Sequence, residues 1–253
     1  MLRSLGKLLP GLLVLCLLAA PALAQKKKVI QNAKDGGIDF QIQGEYSGSV
    51  GKGKMGVQVI AHGDGKFHAV AYIGGLPGDG WNKEKIEFDG KLEDGVAVFV
   101  QADKGKGVIK DGVLTLSDPD GNELAQLKKI VRKSKTLGKK APEGAVVLFD
   151  GTSADAFKNG RMTDDKCLMH GCTSKELFGS FDLHLEFQLS FMPYARGQGR
   201  SNSGCYMQGR YEVQVLDNFG WEPQWDLCGG IYKVAVPLDS NCRASLIRST
   251  CRQ

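Results

Sequence analysis

Short runs of apolar residues alternating with polar ones, separated by turns that contain glycine, fill the chain from residue 39 to about residue 127. Runs rich in Val, Ile, Phe and Tyr occupy residues 57–61, 67–73, 85–88, 96–101 and 113–116. These runs are too short for ordinary helices. Asp-Gly pairs, which favour two-residue hairpin turns, begin at residues 64, 89, 94, 111 and 120. The pattern predicts a small antiparallel β-meander domain of about 90 residues, which is large enough to bury its own core.

A second half with a different pattern begins at residue 145, and two of its segments alternate clearly. Residues 181–189 place Phe and Leu on one face and Asp, His, Glu and Gln on the other, which predicts a half-buried strand with a polar face. Further along, a tight turn is predicted at Gln208-Gly209. In the strand that follows, Arg210, Glu212 and Gln214 share one face. This polar face is either a binding site or an ordinary solvent-facing ladder.

A basic segment lies between the two halves. Residues 128–140 contain seven Lys or Arg, without aromatic residues between them on which nucleic-acid bases could stack. We interpret residues 128–144 as a solvated linker and expect no nucleic-acid partner. The predicted organisation is therefore a β-rich domain at 25–127, this linker, a second domain at 145–237 and an atypical tail at 238–253.

The first 24 residues have the three parts of a secretory signal peptide. Arg3 and Lys7 precede an apolar run over residues 8–20, and Ala22-Leu23-Ala24 provides the small-residue exit. The run is shorter than the roughly 20 residues of a membrane anchor, which is the rival interpretation. We expect cleavage after Ala24, export to the periplasm or the extracellular space, and no membrane span in the mature chain. The formal charge falls from +5 to +3 because Arg3 and Lys7 leave with the signal.

Six of the seven cysteines remain after cleavage, and all of them lie in the C-terminal half. Export makes disulfide bonds between them the main expectation, although the sequence does not choose the pairs. Structural zinc is the alternative, but the chain has no CxxC pair and only His170 and His184 are nearby.

The glycine-rich segment 74–81 ends in Trp81, and it has two interpretations. It is either a functional loop whose Trp stacks on a sugar or a turn whose Trp folds back onto the sheet. We favour the second interpretation, because one aromatic residue is weak evidence for a ligand site.

Four phrases of the second half carry a family resemblance. The phrases are LFDG at 148–151, FGSFDLHLEF at 178–187, SNSGCYMQGRYEVQVLDN at 201–218 and CGGIYKV at 228–234. They resemble the 3-keto-disaccharide hydrolase domain, also described as a 3-keto-glucoside lyase or 3-keto-glucal hydratase. The preceding β domain and linker are similar to those of planctomycete-type secreted proteins. The resemblance implies an all-β chain whose second domain is a concanavalin-like jelly-roll sandwich.

The same resemblance implies an exported enzyme that acts on 3-keto-glycosides. A keto group at C3 acidifies the C2 proton, so that a base can remove it and the glycosidic oxygen can leave by elimination. On the matching positions, Glu212 is the expected base or metal ligand and Arg210 the enolate stabiliser, with His170 as a second candidate base. No cofactor is evident, and a divalent cation is left open as the electrophile. The expected sugar-binding residues are Asn202, Gln214, Asp217, Tyr232 and His184.

Two further hypotheses compete with the enzyme. The domain could be a non-catalytic carbohydrate-binding or cell-surface module, because a β-sandwich fold does not determine function. Alternatively, the domain is incomplete and inactive, since the tail after Pro237 loses strand alternation and suggests a frameshift or an early end. Asp217 could also belong to a simple turn, and His170 could be an inert loop residue.

Overall fold

The computed structural model describes residues 29–101, 103–222 and 224–237 and the backbone of 249–252. The predicted signal peptide and its cleavage site lie outside the described residues, as does most of the predicted tail. A 3-10 helix at Ala33–Asp35 and helix α1 at Gly37–Ile42 precede the first strand. None of the described helices is long and apolar enough to cross a membrane.

Eight antiparallel strands form a closed barrel in which each strand pairs with the next one along the chain. The first strand also pairs with the eighth, through Glu45 to Ser47 opposite Lys128 to Ile130. The predicted meander is therefore confirmed, and its two edge strands pair to close it. The strands are β1 (Gly44–Val50), β2 (Gly53–Gly63), β3 (Lys66–Ile73), β4 (Lys85–Glu93), β5 (Val96–Gln101), β6 (Gly105–Lys110), β7 (Val113–Ser117) and β8 (Glu123–Ile130).

Three of the predicted Asp-Gly hairpins have the expected geometry. Both turn residues have positive φ at Asp64-Gly65, Asp94-Gly95 and Asp111-Gly112, as a type I′ turn requires. The hairpin predicted at Asp89-Gly90 is wrong, because both residues lie inside β4. A side chain at residue 90 would meet the Phe99 ring at 2.3 Å, so glycine is needed there for packing inside the barrel rather than for a turn.

The barrel interior is filled by side chains, as is typical of eight strands. Tyr46, Phe67 and Phe99 are its largest fully or almost fully buried members, and the Phe67 and Phe99 ring centroids are 6.4 Å apart. The Tyr46 hydroxyl donates to the Ile42 carbonyl at 2.7 Å, and burial raises the pKa of Tyr46. No ligand-sized space is therefore expected along the barrel axis.

The C-terminal half contacts one end of the barrel through Phe191. This side chain is 1% exposed, and its ring centroid is 5.3 Å from that of Phe40. Its backbone exchanges two hydrogen bonds with Ile30, at 3.0 and 2.8 Å. Phe191 thus belongs to the same hydrophobic core as the barrel strands.

The described residues after the barrel form three two-stranded antiparallel sheets. They do not by themselves form the expected jelly-roll, so the all-β class is confirmed only in its coarser form. The predicted strand at 181–189 is shorter than expected, and its partner lies in the predicted tail. The strands are β9 (Phe157–Lys158) with β10 (Thr173–Ser174), β11 (His184–Phe187) with β14 (Ser249–Arg252), and β12 (Asn202–Met207) with β13 (Tyr211–Leu216).

The glycine-rich segment and the start of the basic segment both contact the barrel, the first as predicted and the second against the prediction of a solvated linker. Trp81 folds back onto the sheet, as predicted, with its ring 5.2 Å from that of Tyr72 and its indole N–H donating to the Glu84 carbonyl at 2.8 Å. β8 continues to Ile130, inside the predicted linker. Next to it, the Arg132 guanidinium pairs with the buried Glu45 carboxylate. The start of the basic segment is thereby fixed to the barrel.

His62 lies where β2 meets the C-terminal half, and its carbonyl accepts a hydrogen bond from Arg196 Nη2 at 3.1 Å. The pKa of His62 is lowered to about 4, first by burial and then by the charges of Arg196, His68 and Arg200. The usual value of about 6.5 applies to the unfolded chain. Between these values the unfolded chain binds a proton that the folded chain does not, so folding stability falls as the pH drops through this window.

We therefore expect His62→Gln to reduce the loss of stability between pH 7 and pH 4.5. Urea unfolding of both proteins at the two pH values measures this difference. The matched control is His184→Gln, whose exposed ring does not face this junction. An unchanged pH dependence in His62→Gln would show that protonation of His62 does not oppose folding.

Candidate functional site

The β12–β13 hairpin carries most of the predicted site residues. It turns at Gln208-Gly209, where both residues have positive φ, which confirms the predicted tight turn. The register places Tyr206 opposite Glu212 and Gly204 opposite Gln214. Since side chains alternate along a strand, these pairs lie on one face of the hairpin. The prediction that Glu212 and Gln214 lie on one face of the strand, and Val213 and Val215 on the other, is thus confirmed.

Glu212 lies half-buried across the face of the hairpin. Its Oε2 accepts a hydrogen bond from the Tyr206 hydroxyl at 2.9 Å, and this bond raises the pKa of Tyr206. Its Oε1 occupies the space over Gly204, where an added Cβ would lie only 2.0 Å away. Gly204 therefore makes room for the carboxylate, and the Tyr206–Glu212 pair is a proton donor held against a potential base.

Gln214 is the centre of an amide cluster at the other end of the same face. It is 2% exposed, and its Nε2 donates to Gln198 Oε1 at 3.0 Å and to the Asp226 carbonyl at 3.3 Å. The exposed Asn202 joins the cluster by donating to Gln198 Oε1 at 2.9 Å. Gln198 in turn donates to the Asp226 carbonyl at 2.7 Å. The cluster thus connects three side-chain amides and one backbone carbonyl.

Three buried side-chain oxygens of this domain, two of them on residues of the cluster, have no hydrogen-bond partner within the described part of the chain. They are Gln214 Oε1, Asn218 Oδ1 and Asp226 Oδ1. An unsatisfied buried acceptor costs about 1–3 kcal/mol, so native proteins supply such atoms with a partner. Hydroxyl groups of a ligand, or water, would satisfy these acceptors.

Tyr232 lies in the segment after the hairpin, where its backbone contacts that of Glu212. Its backbone N–H donates to the Glu212 carbonyl at 2.9 Å, and its ring meets that of Trp225 at 5.5 Å with an interplanar angle of 72°. Two aromatic residues in mutual contact therefore lie in the segment that pairs with the strand carrying the candidate base. Aromatic faces of this kind suit the apolar faces of a sugar ring.

Asp217 is not positioned for proton transfer. It is 5% exposed, and its Oδ2 accepts from Arg200 at 2.9 Å through Nε and 2.6 Å through Nη2. Arg200 is itself 3% exposed. The pair is a buried, doubly hydrogen-bonded ion pair, which fixes the 196–200 segment to the end of β13.

The structure does not bring the remaining predicted residues into this cluster. Arg210 is exposed in the hairpin turn, and its guanidinium has no hydrogen bond to another described residue. His184 lies on β11, where it faces Glu186 at 3.3 Å. His170 is exposed in a loop, where its carbonyl accepts a weak hydrogen bond from Arg161 at 3.4 Å. Each keeps its predicted role only as a hypothesis.

No three His, Cys, Asp or Glu residues converge as a metal site among the described residues. Those residues therefore do not fit a divalent cation, and we derive no step through one. Among the cysteines, Cys205 lies on β12 and is half-buried. Its thiol is free, and its pKa is raised by burial first and then by the charge of Cys172.

Comparison with known families identifies the part of the chain that contains this hairpin. Residues 144–250 match the 3-keto-alpha-glucoside-1,2-lyase-like domain. The match includes the whole amide cluster and the Tyr206–Glu212 pair, and it runs past Pro237 into the segment that contains β14. No curated protein and no solved structure gives a significant match. We refer to this region as the lyase-like domain.

Sequence reasoning missed four contributors to the site of the lyase-like domain. Gln198 and Trp225 carry no alternating pattern, and the Asp226 contribution is a backbone carbonyl. Tyr206 could have been found, because strand pairing across the predicted Gln208-Gly209 turn places it opposite Glu212. The others depend on loops whose paths only the folded chain defines.

Proposed function

We propose that this protein is an exported enzyme that cleaves 3-keto-glycosides. The observation that carries the proposal is the Tyr206–Glu212 pair, held at 2.9 Å beside an amide cluster with unsatisfied buried oxygens. The family match supports a carbohydrate substrate, and the pair supplies the base that elimination requires.

In the proposed reaction the Glu212 carboxylate removes the proton at C2 of the 3-keto sugar. The electron pair of that C–H bond forms the C2–C3 double bond of an enolate, and negative charge develops on the C3 oxygen. When the carbonyl re-forms, the C1–O bond breaks, a C1–C2 double bond forms and the leaving oxygen takes up a proton. Water then adds across this double bond and completes the hydrolysis. The essential requirements are a base near C2 and hydrogen-bond donors near the developing charge.

The residues of the hairpin fit these requirements in different ways. Tyr206 is the donor closest to Glu212, and its exposed hydroxyl suits it to donate a proton to the leaving oxygen. Arg210 remains our candidate for enolate stabilisation, because it is an exposed cationic residue in the hairpin turn, two residues before Glu212. Gln214, with Gln198 and Asn202, would hold sugar hydroxyls, and Tyr232 would pack against the ring.

Two broader features belong to the same proposal. The small sheets of the lyase-like domain would be parts of a concanavalin-like jelly-roll, as the family resemblance implies. The chain would act in the periplasm or outside the cell after cleavage following Ala24.

The test is turnover of a 3-keto-disaccharide by the mature chain. We expect release of free sugar, with deuterium incorporated at C2 when the reaction is run in D₂O. The unoxidised disaccharide is the control substrate and should remain intact, because its C2 proton is not acidic. Binding of the 3-keto sugar without release or exchange would instead support the non-catalytic carbohydrate-binding module.

A further inference from the structure

A cleft of about 330 Å³ lies where the barrel meets the lyase-like domain. One wall comes from the outer faces of β3 and β4, and the opposite wall comes from the residues that follow β13. Its volume is at the lower end of the range of about 300–1,000 Å³ that is typical of small-molecule sites. The residues that carry its chemistry are His68, Lys85, Glu87, Trp221, Glu222 and Gln224.

The cleft is formed by contacts that hold its two walls together. Phe219 is 5% exposed and packs against barrel residues of the outer face, among them Ile60 and Tyr72. An added Cβ at Gly220 would lie 2.5 Å from Ile60 Cδ1, so the backbone runs directly against the barrel. Lys85 of β4 pairs with Glu222 at 2.8 Å across the junction. These contacts therefore make the cleft a preformed site.

The charges in the cleft favour a neutral ligand. Lys85 Nζ lies 2.8 Å from Glu87 Oε1 and 2.8 Å from Glu222 Oε1, so its charge is neutralised on two sides. This contact also holds the pKa of Glu87 below its usual range, which keeps the carboxylate ionised as an acceptor. Two carboxylates facing one amine repel a phosphate or sulfate group. They accept hydrogen bonds from hydroxyl groups.

Trp221 adds the second element of sugar recognition. It is 44% exposed in the cleft, which leaves part of the indole available for stacking against the C–H face of a pyranose. The Gln224 amide and the second oxygen of Glu222 supply hydroxyl partners around it. Glu87 Oε2 is a further acceptor, and it also faces His68 Nε2 at 3.6 Å. An exposed aromatic surface bordered by carboxylates and an amide matches the alternating apolar and hydroxyl surfaces of a sugar.

The cleft is next to the amide cluster of the lyase-like domain. An added Cβ at Gly197 would lie 4.0 Å from Trp221 Cη2, and Gln198 is the next residue. On the other side, Gln224 is two residues before Asp226, whose carbonyl binds Gln198 and Gln214. The loop that follows β13 thus lines the cleft and also contributes the Asp226 carbonyl to the amide cluster.

We propose that this cleft is a second carbohydrate site, which binds unoxidised neutral sugar units and to which the barrel contributes one wall. It goes beyond the proposed function, because it requires no reaction and involves residues outside the β12–β13 hairpin. It also gives the barrel a role that its sequence does not indicate.

The test is calorimetric titration of the full mature chain with maltotetraose and, separately, with cellotetraose. We expect one of these unoxidised tetrasaccharides to bind. Trp221→Ala, from the lyase-like domain, and Glu87→Gln, from the barrel, should each weaken its binding at least tenfold. Glu93→Gln is the matched control, because Glu93 lies on the same β4 strand outside the cleft and pairs with Lys91. Its affinity should equal that of the wild type.

The thermal unfolding midpoint of each variant is measured in parallel, so that loss of folding is not read as loss of binding. Absence of binding by the wild type to both sugars would overturn the proposal. So would unchanged affinity in folded Trp221→Ala and Glu87→Gln. Glu212→Gln should bind the tetrasaccharide as the wild type does. If the protein binds a tetrasaccharide at the cleft but does not cleave 3-keto sugars, only the proposed function is refuted.

Discussion

Replacement of Glu212 by Gln is expected to lower kcat/KM on a 3-keto-disaccharide by about 10²–10⁴-fold, the usual contribution of a positioned general base. The amide keeps the shape of the carboxylate over Gly204 and still accepts a hydrogen bond from Tyr206, but it cannot take a proton. Most of the loss should fall in kcat, since the change acts on the chemical step rather than on substrate contacts. Initial rates over a range of substrate concentrations measure this effect.

The matched control for this experiment is Glu176→Gln, an exposed position in the same domain. It should retain wild-type kinetics. If Glu212→Gln raises KM without changing kcat, Glu212 only contacts the sugar and the base lies elsewhere. Deuterium exchange at C2 separates these results further, because a variant without its base loses exchange together with turnover.

The second large effect is expected at Asp217. Asp217→Ala leaves the Arg200 guanidinium buried without its partner, and breaking such a pair costs about 3–5 kcal/mol in the free energy of unfolding. Arg200 lies in the segment that also carries Gln198, so the site should lose order together with stability. Urea unfolding followed by circular dichroism measures the change.

The double variant Arg200→Met/Asp217→Leu is the informative comparison, because removal of both charges avoids the unpaired ion. It should recover much of the lost stability. Asp182→Ala, at an exposed position, should change the free energy of unfolding by about 0.5 kcal/mol or less. An equal, small effect of Asp182→Ala and Asp217→Ala would show that the pair with Arg200 does not stabilise the fold.

The structure unites the two halves that the sequence separates by a basic linker. Phe191 enters the barrel core at one end, and Phe219 covers part of the outer face. Both residues lie in loops that border the amide cluster. The barrel therefore supports the loops of the site, so barrel variants at these contacts should affect the lyase-like domain as well.

The local sequence determined the features that depend on neighbouring residues. Asp-Gly pairs at 64, 94 and 111 predicted type I′ hairpins, because these residues tolerate positive φ. Alternation over 211–215 correctly placed Glu212 and Gln214 on one face, since side chains in a strand alternate regardless of what surrounds them. The β-rich class was also recognisable from these short patterns, whereas the position of the lyase-like domain followed from the four phrases that resemble the family.

Tertiary structure decided the features that depend on distant residues. Closure of the barrel requires β1 to meet β8, and the reason for Gly90 is the Phe99 ring on another strand. The sequence offers Asp217 as a sugar-binding or turn residue, and only the folded chain reveals its ion pair with Arg200, 17 positions earlier. The amide cluster and the cleft are built by loops whose paths are set by their packing on the barrel. No local pattern encodes such contacts, because their energies come from side chains that meet only in the folded chain.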